Sequence, residues 1–223
     1  MAPVATVERG CLCVFAKPPR SGVAKSRLIP ALGAAAAAEL AHALFADTWN
    51  MATRLPPMSA VLATTDVDAP EWRELGVDVW PQGAGTLGDR MERVARRALT
   101  SHPFAIVIGT DLPGLPAARL VAARRALAKA DAVLGPATDG GFYLIGLRRC
   151  PRGLLRDLPW STPDVFDRTL VRLRQRGLRT RTIGRWCDLD DPNDLVVLRR
   201  RLRGKRLHAP AVRAWLARQD KHQ

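Results

Sequence analysis

The chain has 223 residues, 47% of them apolar, enough to bury the core of one α/β domain. Lysine and arginine total 35 against 21 acidic residues, and the formal charge of +14 invites a polyanionic partner: nucleic acid, an anionic membrane or a phosphorylated small molecule. Composition excludes a membrane span, because the most apolar stretch, residues 31–46, is broken by Glu39 and His42.

Strand and helix signals alternate along the chain. Residues 11–16 form a short apolar run ended by Pro18 and Pro19, in which Cys11 and Cys13 share one face as small core residues. Residues 33–52 read as an alanine-rich helix, 59–64 as a second strand and 77–80 as a shorter third. An amphipathic helix is predicted over 87–99, with Met91, Val94, Ala95 and Ala98 on one face. Residues 104–109 suit a central strand buried on both faces, and 116–128 a helix with proline in its first turn. Two strands, 132–135 and 142–147, flank the polar break Thr138-Asp139-Gly140-Gly141. Ser161 or Thr162 is expected to cap a helix running to Gln175, which Gly177 ends. A further strand is predicted over 178–183 and a helix over 192–203, with Asp191 as its N-cap and Pro192 at its first position.

This alternation implies a mostly parallel sheet with helices on both faces, within a domain spanning residues 1–203. Right-handed crossovers then gather the strand-to-helix loops along one edge. Residues 204–223 read as a basic tail or a peripheral helix. Four cysteines without CxxC spacing suit a reducing compartment. Glu8 and Arg9 stand where a signal peptide would be apolar, so the expected location is cytoplasmic.

Several loops carry chemistry. The one after the first strand holds Lys17, Arg20, Gly22, Lys25 and Arg27, cations and a glycine suited to wrapping phosphate oxygens. Pro19 and Ala24 stand where a P-loop needs glycine, which rules that motif out. The glycine-rich turn 83–91, with Gly88 and Arg90, is either an anion or base-edge contact or a plain loop with an N-cap. Asp111 closes the most hydrophobic strand, where ligands of open α/β sheets bind, and its carboxylate suits Mg²⁺ or Mn²⁺. Asp139, Gly140 and Gly141 serve a tight hairpin and a ligand site equally well. Asp188, Asp190, Asp191 and Asp194 crowd four carboxylates before a helix, and alternation lets Asp188 and Asp190 point together. None of the four histidines lies in a motif, which argues against zinc and histidine-led catalysis.

Taken in order, these segments resemble a bacterial family of GT-A-type transferases, the radical-SAM/selenodomain-associated transferases. That family is related to 2-phospholactate guanylyltransferase and molybdenum-cofactor guanylyltransferase. The resemblance rests on Lys17-Pro18-Pro19 through Leu28, Gln82-Gly83 through Met91, Gly109-Thr110-Asp111-Leu112-Pro113, Gly135 through Tyr143, Trp160-Ser161-Thr162, and Asp188 through Leu195. It implies a GT-A-like three-layer sandwich around a mixed, mostly parallel central sheet, with Asp111 and Asp190 as metal carboxylates. The first loop lacks the glycine-rich signature of typical sugar nucleotidyltransferases.

The expectation is a metal-dependent enzyme that takes a nucleotide sugar or a nucleoside triphosphate together with a small-molecule acceptor. Lys17, Arg20, Lys25 and Arg27 would neutralise donor phosphates, Asp111 and Asp190 would hold the metal, and Asp139 would act as base. Glycosyl transfer is favoured, nucleotidyl transfer with pyrophosphate release is the alternative, and a non-catalytic nucleotide- or nucleic-acid-binding domain is the third reading. One tyrosine and five phenylalanines make no stacking platform, which argues against nucleic acid.

Overall fold

A computed structural model describes residues 8–204 and 207–221. Lys205 and Arg206 of the basic tail lie outside the described residues. Among the described residues, seven strands form one sheet in the order β3-β2-β1-β4-β6-β5-β7. They are β1 Cys11–Ala16, β2 Ser59–Thr64, β3 Val79–Pro81, β4 Ala105–Gly109, β5 Ala132–Pro136, β6 Phe142–Leu147 and β7 Thr180–Thr182. β6 runs antiparallel between β4 and β5, while the other pairings are parallel, so the sheet is mixed and mostly parallel.

The helices are α1 Ile29–Leu32, α2 Ala34–Thr53, α3 Leu87–Ala98, α4 Ala117–Leu127, α5 Val165–Gln175, α6 Pro192–Arg203 and α7 Pro210–Gln219. Alternation along the strands decides which of them each side chain meets. Leu12 and Val14 of β1 pack with Phe45 and Trp49 of α2 and with Leu120 and Leu127 of α4. Cys11 and Cys13 turn to the other face, among Val94 and Ala95 of α3 and Leu173 of α5. Helices therefore cover both faces, giving a three-layer sandwich.

A third cluster lies outside α2. There Leu195, Leu198 and Leu202 of α6 meet Val212 and Trp215 of α7 over Leu40 and Leu44. Trp215 is wholly buried, and Asp47 of α2 accepts the Ala211 and Val212 N–H groups at 2.9 and 3.1 Å, satisfying the first turn of α7.

One local expectation fails. The α5 helix starts one turn late, with Asp164 rather than Ser161 or Thr162 at its N-cap. Ser161 is left-handed at φ 65°, and the Thr162 hydroxyl donates to the Pro159 carbonyl at 2.7 Å, so both belong to the turn before the helix. The short 3₁₀ turns Ser26–Leu28 and Pro70–Leu75 carry too few residues for a periodic signal and went unpredicted.

Candidate functional site

The sheet topology gathers the chemically interesting loops. Phe15 pairs with Gly109, Ile108 with Leu144 and Pro136 with Phe142, so the ends of β1, β4 and β5 and the start of β6 share one edge. A cleft of about 690 Å³ opens there. Its lining includes Lys17, Lys25, Arg27, Arg90, Asp111, Asp139, Gly141, Asp188 and Asp190. Backbone bonds tie the walls together: the Leu189 N–H donates to the Asp111 carbonyl at 2.9 Å, and the Trp186 N–H to the Pro136 carbonyl at 3.1 Å.

Lys25 is the hinge of the charge arrangement. Its side chain is only 6% exposed, and its ammonium lies 2.6 Å from Asp111 Oδ1 and 3.2 Å from Asp190 Oδ1. It also donates to the Leu189 carbonyl. Asp111 and Asp190 are about half exposed toward the cleft, at 50% and 45%. Lys25 adopts φ 53°, a left-handed state that β-carbon-bearing residues avoid.

The acidic run divides by direction. Leu189 is fully buried, while its neighbours Asp188 and Asp190 both face the cleft, as alternation on an extended segment requires. Asp191 and Asp194 instead form a capping box at α6: Asp191 accepts from the Asn193 and Asp194 N–H groups, and Asp194 Oδ2 accepts the Asp191 N–H at 3.0 Å. Burial, then the Asp139 carboxylate, pushes the Asp188 carboxyl up to about 6, with Asp190 and Asp194 adding to the rise.

The hairpin turn is built tightly. The Gly141 N–H donates to Asp139 Oδ1 at 2.8 Å, and Gly140 sits at φ 90° with the Pro163 carbonyl oxygen 2.0 Å from where a β-carbon would stand. Gly140 therefore shapes the wall without lining it.

Other predicted residues point elsewhere. Arg20 is held by Glu71 at 2.7 Å and Asp66 at 3.0 Å, outside the cleft lining, and Gly22 also lies outside it. A β-carbon on Gly88 would stand 2.1 Å from the Leu155 carbonyl oxygen, so this glycine allows close helix packing. The Thr86–Asp89 capping box occupies N–H groups at the start of α3. Arg90 does line the cleft, with its Nε donating to the Gly85 carbonyl at 3.0 Å.

The structure adds residues that sequence reasoning did not select as ligands. Phe15, Phe142, Tyr143 and Trp160 give the cleft an aromatic wall, with Phe142 and Trp160 edge to face at 6.0 Å. Phe15, Phe142 and Tyr143 lie in strands, where aromatic residues ordinarily mean core, and Trp160 lies in a turn with no pattern of its own.

The oxygens of Asp111 and Asp190 converge on one positive charge, the Lys25 ammonium. Among the described residues no three His, Cys, Asp or Glu groups stand together as ligands. Mg²⁺ and Mn²⁺ accept one or two carboxylates completed by waters and phosphate oxygens, so the pair fits.

Fold and edge together define the class: an α/β chain with the nucleotide-diphospho-sugar transferase fold and a charged cleft at its strand ends. The chain is similar to a protein from Desulfovibrio desulfuricans provisionally named a nucleotide-diphospho-sugar transferase. Identity is 28% and the TM-score 0.86, covering 97% of this chain and 96% of that one. CMP:2-keto-3-deoxy-manno-octonic acid synthetase, solved with CTP, is similar at 13% identity and TM-score 0.57, over 89% of this chain and 99% of that one. The 4-diphosphocytidyl-2C-methyl-D-erythritol synthase of Anaerococcus prevotii is similar at 10% and 0.58, over 87% and 96%. At those identities the last two likenesses concern the fold alone. Residues 46–162, just over half of the chain, match the family described as uncharacterized proteins conserved in bacteria (DUF2064), and the chain belongs to that family. No curated protein matches it.

Proposed function

We propose that the chain is a transferase that takes a nucleotide-activated donor in the cleft at its strand ends and uses Mg²⁺ or Mn²⁺. One observation carries this reading. Four cations, Lys17, Lys25, Arg27 and Arg90, and four aspartates, Asp111, Asp139, Asp188 and Asp190, line the same cleft. Such a lining suits an anionic ligand that arrives with its own divalent cation, the character of a nucleotide diphosphate.

Lys17, Lys25 and Arg27 bind and orient the donor phosphates, and Asp111 with Asp190 holds the cation. Bound there, the metal would supply charge stabilisation for a departing phosphate. The remaining work is positioning and pre-organised electrostatics in a partly enclosed site. Asp139 keeps one oxygen on the Gly141 N–H, which fixes its direction, and its other oxygen is the candidate base toward an acceptor hydroxyl. Ion pairing to Glu71 and Asp66 leaves Arg20 with a structural task in supporting the basic loop.

Glycosyl transfer from a nucleotide sugar is the favoured reaction, supported by the name of the Desulfovibrio relative, which matches nearly the whole chain. Incubation with panels of nucleotide sugars and nucleoside triphosphates tests it. Release of a nucleoside diphosphate is expected; pyrophosphate release would establish nucleotidyl transfer instead. If neither product forms and no nucleotide binds with Mn²⁺ in calorimetry, the transferase reading is wrong.

A further inference from the structure

We infer that Lys25 is the resident occupant of the cation site, so that its ammonium and a divalent metal exclude one another on Asp111 and Asp190. The inference rests on the proposed reading of that carboxylate pair and adds how the site is filled and emptied.

The Lys25 ammonium donates to Asp190 Oδ1 and to the Leu189 carbonyl and forms an ion pair with Asp111 Oδ1 at 2.6 Å. The lysine is buried while both carboxylates remain half exposed, so the cation sits behind its anions and closes the pocket they form. Oxygens 2.6 and 3.2 Å from the nitrogen would need to close in by about 0.5 and about 1.1 Å to meet a metal at about 2.1 Å. A dication on the same two Oδ1 atoms would compete with the ammonium for them and be repelled by its charge. Entry of metal therefore requires Lys25 to leave.

The lysine has somewhere to go. Lys17 and Arg27 line the same cleft, so donor phosphates held by them would offer the released ammonium new oxygens. The strained backbone at Lys25 favours such a change, because its φ of 53° is maintained against a steric cost. Metal and nucleotide are then linked: each should bind more tightly when the other is present.

The test titrates Mn²⁺ alone into the wild-type protein, Lys25→Met and the double variant Lys25→Met/Asp111→Asn, with thermal melts to verify folding. Lys25→Met should bind Mn²⁺ at least tenfold more tightly than wild type, and the double variant should lose that gain. Lys25→Gln, which keeps a hydrogen-bonding head without charge, is the second variant and should behave like Lys25→Met. Equal or weaker Mn²⁺ binding in both single variants would overturn the inference. Wild-type titrations repeated with UDP, GDP and CDP separate the two levels. Mn²⁺ binding that appears with a nucleotide and is lost in Asp111→Asn leaves the site reading standing whatever the lysine result. Absence of Mn²⁺ binding in every protein and condition removes both.

Discussion

The two edges of the sheet treat the same side chain in opposite ways. At the edge where β5 and β7 begin, Asp131 accepts the Arg179 backbone N–H at 2.9 Å and its guanidinium at 3.0 and 3.3 Å. These bonds hold its carboxyl down to about 2. Close by, Arg148 donates from its backbone to the Asp131 carbonyl and from its side chain to Glu8 at 2.7 and 2.8 Å. At the opposite edge Asp188 is partly buried among Asp139, Asp190 and Asp194, and its carboxyl rises to about 6. One edge is electrostatically satisfied and closes the fold. The other keeps unneutralised charge beside an open cleft, which is what a binding site for a cation and an anion needs.

The contrast can be tested from either side. The largest effect belongs to Asp111→Asn and Asp190→Asn, each expected to weaken Mn²⁺-supported nucleotide binding at least 100-fold by calorimetry. Both carboxylates are half exposed, so melting temperatures should hardly move. Gly140→Ala comes next: a β-carbon would strike the Pro163 carbonyl oxygen at a φ reserved for glycine. The strain, about 1–3 kcal/mol, should lower the melting temperature by roughly 2–12 °C.

Asp131→Asn is expected to lower the melting temperature by about 2–4 °C at neutral pH. A depressed carboxyl stabilises the fold above its ordinary value of 3.8 and loses that effect as pH falls through about 2, so variant and wild type should converge on acidification. The smallest effect has the opposite sign. A raised carboxyl favours the folded state below 3.8, and that contribution is lost as pH climbs through about 6. In metal-free protein Asp188→Asn should therefore melt about 1–3 °C higher at pH 7 and no differently below pH 4. A variant that melts lower at pH 7 would mean that Asp188 is already compensated by a partner.

Much of the architecture was legible because its signals are local. The strands 11–16, 59–64 and 142–147 and the helix 192–203 lie where their apolar patterns and caps put them, since periodicity and capping act over a few residues. Pairing of Asp188 with Asp190 on one side of an extended segment needed only alternation. Relations across distance were out of reach. No pattern in the loop after β1 separates Arg20 from Lys25, yet Glu71 and Asp66 take the first while Asp111 and Asp190 take the second. The insertion of β6 between β4 and β5, the aromatic wall around Trp160 and the seating of Trp215 against α2 likewise depend on partners remote in sequence. The amino-acid order by itself determined the strand and helix series and the stock of charges at one sheet edge, because backbone preference and side-chain spacing are short-range. Only the tertiary structure decided which charges meet, because burial and ion pairing depend on where distant segments come to rest.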